Sequence, residues 1–108
     1  CLVIDRNRLQ ISGTTEQVMA HENMAERLSS FGWHTVICRG NDYESLAAAF
    51  DEARGTRGRP TAILAQTVKG CGISFMEDQV GWHHRVPTED EYQQAMQELE
   101  VKAHGLCQ

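Results

Sequence analysis

The order of apolar segments along the chain is the feature that most constrains its fold. Runs rich in branched apolar residues predict strands over residues 2–4, 33–39 and 61–68. Segments with apolar residues at helical spacing lie between and after these runs. Strands that alternate with helices at this spacing are typical of a parallel sheet with right-handed crossovers. The sequence therefore predicts an α/β fold, a parallel sheet flanked by helices, whose first strand is buried on both faces.

Start and stop signals delimit the predicted helices. The first helix covers the apolar positions between residues 24 and 31, and Gly32 ends it. The second helix begins with a capping box formed by Asn41 and Glu44.

The last helix follows a long loop and begins with a second capping box, formed by Thr88 and Glu91. We expect Gly105 to lie beyond its end. Residues 12–23 lack clear periodicity and predict a loop, with a short helical turn around residues 16–19.

Composition disfavours several classes of function. The 108 residues carry a net charge of −5, which argues against nucleic acid and anionic membranes as partners. No apolar run approaches the ~20 residues of a membrane span, and no signal peptide is recognisable. The four cysteines lie far apart, which predicts reduced thiols and a cytoplasmic location. Because the chain opens inside an apolar strand, we expect a preceding segment or a partner chain to complete the sheet.

A polar cluster around Asn7 follows the first predicted strand. In open α/β sheets, ligands bind beyond the carboxyl ends of the strands. The amide oxygen of Asn7 is a hard, neutral donor that suits Mg²⁺ or Ca²⁺. An asparagine after a strand is also a common turn residue that satisfies its own backbone. The sequence leaves both interpretations open.

The third predicted strand ends in Lys69, Gly70 and Gly72. In a parallel sheet this strand end faces the same edge as Asn7. The N–H groups of the two glycines are suited to holding phosphate oxygens, as glycine nests do. A tight turn at the strand end explains the same residues equally well.

Two histidines, His83 and His84, lie in the long loop beside Trp82. An unperturbed histidine titrates near ~6.5, which suits proton transfer or contact with phosphate. Because neighbouring side chains on an extended segment point in opposite directions, only one of the two is expected to face a site. A surface histidine without a function is the alternative.

Several motifs together resemble the N-terminal, thiamine diphosphate-binding section of transketolase, most closely the split type in which this section is a separate polypeptide. The match covers nearly the whole chain. Its anchors are DRNRLQISG at 5–13, FGW at 31–33, RGND at 39–42, PTAILAQTVKG at 60–70, GISFME at 72–77, WH at 82–83, and Pro87.

The resemblance implies an Mg²⁺-dependent thiamine diphosphate enzyme that transfers a two-carbon ketol unit between sugar phosphates. It implies that Asn7 binds Mg²⁺ through its side chain and that Leu9 does so through its backbone carbonyl. Mg²⁺ takes six oxygens at about 2.1 Å, so the diphosphate, an aspartate and a water would supply the others.

The resemblance also assigns residues around the cofactor. Ile11 would pack against it, and Lys69, with Gly70 beside it, falls where related enzymes line the thiazolium side of the site. His83 corresponds to a catalytic-site histidine near the diphosphate and the substrate.

The chain departs from the family pattern in several ways. It lacks the Gly-Asp-Gly motif that supplies the aspartate, and the glutamate that activates the aminopyrimidine belongs to a companion section or subunit. Cys71 and His84 replace the usual residues at their positions. We therefore interpret residues 1–108 as the C-terminal part of a thiamine diphosphate-binding domain that is inactive alone. Because the family's cofactor lies between two chains, a homo- or hetero-oligomer is implied.

Two alternatives remain open. One is a catalytically silent interaction or regulatory subunit derived from this fold, which docks a partner through its apolar sheet edge. The other is a different thiamine diphosphate enzyme, such as a deoxyxylulose-phosphate synthase or a 2-oxoacid dehydrogenase subunit. The run at 9–13 and the loop at 82–83 favour transketolase.

Overall fold

The computed structural model describes residues 1–20 and 23–106, and strands and helices alternate along it. The strands are β1 (Leu2–Arg6), β2 (Leu9–Gln10), β3 (Gly13–Thr14), β4 (His34–Arg39) and β5 (Thr61–Gln66). The helices are α1 (Thr15–Val18), α2 (Met24–Ser30), α3 (Tyr43–Gly55) and α4 (Glu89–Leu106), with a 3-10 turn at Val80–His83. Strands β1, β5 and β4 form one parallel sheet in that order, which confirms the predicted parallel sheet flanked by helices.

Strand β5 is the centre of the sheet because it pairs along both of its edges. Asp5 of β1, Ala65 of β5 and Cys38 of β4 lie side by side in register. Residues 61–65 are all buried, and Ile63 has no exposed surface. A strand covered on both faces has no solvent side, so an unbroken run of apolar residues suits it.

The main core lies between α3 and one face of β4 and β5. It consists of Val36, Cys38, Ala49, Ile63 and Ala65, with Leu46 and Ala53 packed beside them. Burial raises the pKa of the Cys38 thiol, which fits a packing role rather than a reactive one.

Strand β1 is not buried on both faces, so that prediction is wrong for the described residues. Leu2 is 40% exposed and Val3 is 46% exposed. The reason is that β1 is an edge strand and α3 packs over β4 and β5 instead. The apolar run identified a strand correctly but did not reveal its place in the sheet.

Helix α3 is capped by Asp42, so the predicted capping box at Asn41 is wrong. The carboxylate of Asp42 accepts the N–H of Ser45 at 3.0 Å. Asn41 instead accepts the N–H of Val68 at 2.7 Å. Both residue types make good caps, and the contact with the chain after β5 decides which one caps this helix.

Helix α4 begins as predicted but ends later. The Thr88 N–H donates to Glu91 Oε2 at 2.8 Å, and the Glu91 N–H donates to Thr88 Oγ1 at 3.4 Å, which confirms the capping box. The helix continues through Gly105 to Leu106. A glycine costs a helix only about 1 kcal/mol relative to alanine, so it does not have to end one.

The first helix ends as predicted. The Gly32 N–H donates to the Ser29 carbonyl at 2.9 Å, and Gly32 has a φ of 85°, which favours glycine. Phe31, however, is 84% exposed, so the apolar stripe of this helix is buried only in part.

The segment predicted as a loop over residues 12–23 contains more structure than expected. Strands β2 and β3 form an antiparallel hairpin in which Leu9 faces Thr14. Helix α1 begins one residue before the predicted helical turn, and Thr14 caps it. Two-residue strands are too short to produce a recognisable period of two. Residues 21 and 22 of this segment lie outside the described residues.

The molecule is flat, with extents of 50 × 39 × 16 Å and a radius of gyration of 16.7 Å. A compact domain of this length has a radius of gyration of about 13 Å. The open shape leaves Leu2, Val3 and Ile37 of the sheet exposed. Among the described residues, no helix has both the length and the apolar character required to cross a bilayer.

Candidate functional site at the carboxyl edge of the sheet

The three parallel strands end side by side, at Arg6, Gln66 and Arg39. Backbone pairing extends one residue further, because the Gly40 N–H donates to the Gln66 carbonyl at 2.7 Å and the Thr67 N–H donates to the Arg6 carbonyl at 3.4 Å. The segments that leave the sheet therefore start from one well-defined edge. This is the edge at which open α/β sheets bind ligands.

Asn7 forms a tight turn directly after β1. Its side-chain oxygen accepts the N–H of Leu9 at 3.0 Å, and Arg8 between them has a φ of 63°. The turn interpretation of Asn7 is therefore confirmed. An amide oxygen has two acceptor positions and the Leu9 N–H uses one, so this turn is compatible with the oxygen binding a cation as well.

A second set of contacts fixes the ends of β4 and β5. The Thr67 hydroxyl donates to the Asp5 carboxylate, which ties β5 to β1. Gly40 lies so close to β5 that a Cβ atom there would be 2.4 Å from Thr67 Cγ2 and 2.9 Å from Ala65 Cβ. No other residue type fits at position 40 without displacing these neighbours.

A cavity of about 490 Å³ opens between the Asn7 turn and the end of β5. This volume lies in the range of small-molecule and cofactor sites. Arg6 and Arg8 line the cavity and give its wall positive charge, although Glu16 lies 3.8 Å from Arg6 and offsets part of it. Asp78 adds one carboxylate to the same wall. The lining therefore combines guanidinium groups for an anion with oxygen atoms for a cation.

The glycines after β5 allow close packing of the backbone. Gly70 has a φ of 71°, and a Cβ atom there would lie 2.6 Å from the Cβ and carbonyl oxygen of Met76. The Gly72 N–H donates to Glu77 Oε1 at 2.8 Å. The tight-turn interpretation is thus confirmed. The phosphate-nest hypothesis is wrong for Gly72, because a carboxylate already occupies its N–H group.

His83 ends the 3-10 turn, which packs against β2 of the hairpin that follows Asn7. The rings of His83 and His84 meet edge to face, with centroids 4.9 Å apart, and both side chains are exposed. The expectation that the two point in opposite directions is wrong, because the segment is a turn and not an extended chain.

The structure brings only some of the predicted site residues together. Asn7 and Leu9 line the cavity. Ile11 lies on the same hairpin, between β2 and β3, and is 60% exposed. The remaining predicted residues, Lys69, Gly70 and His83, lie outside the cavity lining.

Asp78 is a cavity residue that the sequence did not indicate. It has a φ of 54°, and its N–H donates to the Lys69 carbonyl at 3.0 Å. One acidic residue in an aperiodic loop gives no sequence signal, and it reaches the cavity only because the chain reverses at Gly70. In residues 1–20 and 23–106, no three His, Cys, Asp or Glu side chains are grouped to hold a metal ion. A cation at this edge would therefore depend on neutral oxygens, such as those of Asn7 and Leu9.

The parallel sheet and the position of its cavity define the molecule as an α/β ligand-binding domain of the type whose site lies beyond the strand ends. The chain belongs to the family described as transketolase, thiamine diphosphate binding domain, whose sequence profile matches residues 1–105.

Known relatives cover nearly all of this chain. It is 41% identical over 104 residues to one subunit of the apulose-4-phosphate transketolase of Phocaeicola vulgatus, which is 96% of this chain and 37% of the relative. It is 33% identical over 96 residues to one subunit of a 6-deoxy-6-sulfo-D-fructose transketolase of Clostridium sp., which is 89% of this chain and 35% of the relative. The chain thus spans a little over a third of the length of these curated relatives.

A solved structure supports the same placement. The transketolase of Campylobacter jejuni superposes with a TM-score of 0.83 at 25% identity, over 90% of this chain and 15% of that one. The described fold is therefore a partial transketolase domain.

Proposed function

We propose that this chain is the part of a transketolase-like enzyme that binds thiamine diphosphate through Mg²⁺, and that the whole enzyme transfers a two-carbon ketol unit between sugar phosphates. The observation that carries the proposal is the Asn7 turn, whose amide oxygen lines a cavity at the carboxyl edge of the sheet. Family membership supports the cofactor. The names of the relatives support the reaction class.

In this proposal Asn7 and Leu9 bind Mg²⁺, Asn7 through its side-chain oxygen and Leu9 through its carbonyl. The two groups belong to one turn that a hydrogen bond holds at 3.0 Å, so little ordering is needed when the cation binds. Arg6 and Arg8 on the same wall offset the negative charge of the diphosphate. Both donor oxygens are neutral, which leaves room in the charge balance for the anionic cofactor.

The other predicted residues act around the cofactor. Ile11 packs on it through its exposed side chain, and Lys69 and Gly70 lie along the thiazolium side. Thiamine diphosphate supplies the electron sink that stabilises the carbanion formed on carbon–carbon bond cleavage. His83 contacts the diphosphate and the substrate, and its imidazole can hold or release a proton near neutral pH.

We further propose that a companion pyrimidine-binding section or subunit completes the site. Relatives that are named as single subunits of a transketolase support a division of the enzyme between chains. The described residues contain only part of the ligand set, so the 108-residue chain alone should neither bind Mg²⁺–thiamine diphosphate with micromolar affinity nor catalyse. A homo- or hetero-oligomer follows from this arrangement.

The test is a titration of Mg²⁺ and thiamine diphosphate into the full polypeptide together with its companion, followed by calorimetry. We expect Asn7→Ala to weaken cofactor binding at least about tenfold, because one metal ligand is lost. Asn41→Ala is the matched control, since this asparagine also follows a strand of the sheet but accepts the Val68 N–H and does not line the cavity.

Equal Kd values for Asn7→Ala and Asn41→Ala would contradict the metal-binding role of Asn7. Tight binding of the cofactor to the isolated 108 residues would contradict the need for a companion.

A further inference from the structure

The loop that carries His83 is attached to α4 through Arg85. The Arg85 guanidinium lies over the ring of Trp82, 4.4 Å from its centroid, and the same side chain forms an ion pair with Glu91 in the first turn of α4. Arg85 therefore links the residue before His83 to a helix. A planar guanidinium can stack on an aromatic ring and bind a carboxylate at the same time.

Trp82 has a second attachment on its other side. Its indole N–H donates to the Phe75 carbonyl at 3.0 Å, and the two rings lie 5.5 Å apart. The indole is thus held between the backbone of the preceding loop and the guanidinium of Arg85. Since Trp82 and His83 are consecutive residues of one 3-10 turn, a change in the position of the indole also moves His83.

Glu91 offers Arg85 a fixed and ionised partner. Thr88 donates to its carboxylate from the backbone N–H at 2.8 Å and from the hydroxyl at 3.0 Å. These contacts, the backbone one first, together with Arg85, hold the pKa of Glu91 below its usual value. The capping box of α4 therefore also anchors the arginine.

We propose that Arg85 is a positioning residue for His83: by stacking on Trp82 and pairing with Glu91, it fixes the 3-10 turn against β2 and the Asn7 hairpin. The proposal rests on the function proposed above. Arg85 does not line the cavity, so it acts through Trp82. No sequence motif singles it out.

A spectroscopic test reads the contact without using activity. The full polypeptide is labelled with 5-fluorotryptophan, and the Trp82 resonance is assigned with Trp82→Phe. We expect Arg85→Met to shift and broaden this fluorine resonance, and Arg85→Lys to do so less, because an ammonium can occupy the same place without the planar stack. Arg54→Met is the matched control, since Arg54 forms a comparable exposed pair with Asp51 on α3, away from the loop. An unchanged resonance in Arg85→Met would overturn the proposal.

A kinetic test uses the assembled enzyme. We expect Arg85→Met to lower kcat about tenfold with little change in KM, because His83 is displaced while the binding groups remain. Arg85→Lys should recover part of the loss. The double variant Arg85→Met/His83→Ala should be no slower than His83→Ala alone, because Arg85 acts only through His83.

The outcomes separate the two proposals. If the wild-type enzyme is active but the losses from Arg85→Met and His83→Ala multiply, or if Arg85→Met leaves kcat unchanged, the positioning role alone is overturned. If the assembled wild-type enzyme transfers no ketol unit, the proposed function is overturned, and the positioning role falls with it.

Discussion

The sheet around β5 and the segment over residues 67–88 are stabilised in different ways. Strand β5 is paired along both edges and lies under α3, so each of its residues shares its burial with many neighbours. The segment at 67–88 instead depends on single contacts between a side chain and the backbone. Glu98 accepts the Ser74 N–H at 2.6 Å, and Lys102 donates to the Gly72 carbonyl at 2.6 Å.

This difference suggests how the two regions respond to change. A surface substitution near β5 leaves most of the contacts in place, whereas the loss of one contact in the segment frees a stretch of chain. The sheet therefore sets the position of the Asn7 turn, and the segment sets the position of His83 through separate contacts that can be altered one at a time.

The largest expected effect belongs to the sheet. Ile63→Ala should lower the free energy of unfolding by about 3–4 kcal/mol, because Ile63 is fully buried and the truncation leaves a cavity. Ile37→Ala is the same change in the neighbouring strand at a side chain that is 58% exposed, and it should cost less than about 1 kcal/mol. Urea unfolding of both variants measures the difference, and equal losses would contradict this ranking.

A smaller effect is expected in the segment. Gly70→Ala places a Cβ atom 2.6 Å from the Met76 backbone at a φ of 71°, so the turn must open at a cost of about 1–3 kcal/mol. Gly81→Ala, where a Cβ atom meets nothing within 4 Å, is the control. Unfolding measures the cost, and hydrogen exchange locates it. Loss of protection in β5 instead of in the segment would show that the two regions are not independent.

The smallest effect is a pH dependence of the segment. Hydrogen bonds from Ser74, first from its backbone N–H and then from its hydroxyl, hold the pKa of Glu98 below its usual value. A lowered carboxyl pKa gives stability that is complete above the unfolded-state pKa near ~4.3 and is lost as pH falls through the folded-state value. The protection factor of the Ser74 amide should therefore fall in acid, while that of Ile63 stays constant.

Glu98→Gln should remove this pH dependence, since the amide does not titrate in this range. Glu100→Gln on the same helix is the control and should preserve it. A Ser74 protection factor that does not change down to about pH 3 would contradict the assignment.

The parts of the fold that were predictable from sequence are those with local signals. The apolar run of β5 and the capping box at Thr88 depend on residues a few positions apart, and both were found. The cap of α3 was assigned one residue too early, because the contact between Asn41 and Val68 joins residues 27 positions apart. The edge position of β1 was missed for a similar reason, since it depends on where α3 packs.

The candidate site shows the same limit. Asn7 was recognisable because it directly follows a strand. Asp78 reaches the cavity through the reversal at Gly70, and Arg85 reaches Trp82 and Glu91 through a turn that the pattern of residues did not indicate. The roles of Lys69, Gly70 and His83 came from the family resemblance, and they stay predictions.

The close fit of Gly40 against Thr67, together with the link from Thr67 to Asp5, has an evolutionary consequence. The floor beneath the cofactor cannot drift without loosening three strands at once. Divergence of substrate preference within this lineage would therefore be confined to the chain beyond Gly70, where insertions and exchanges leave the floor intact.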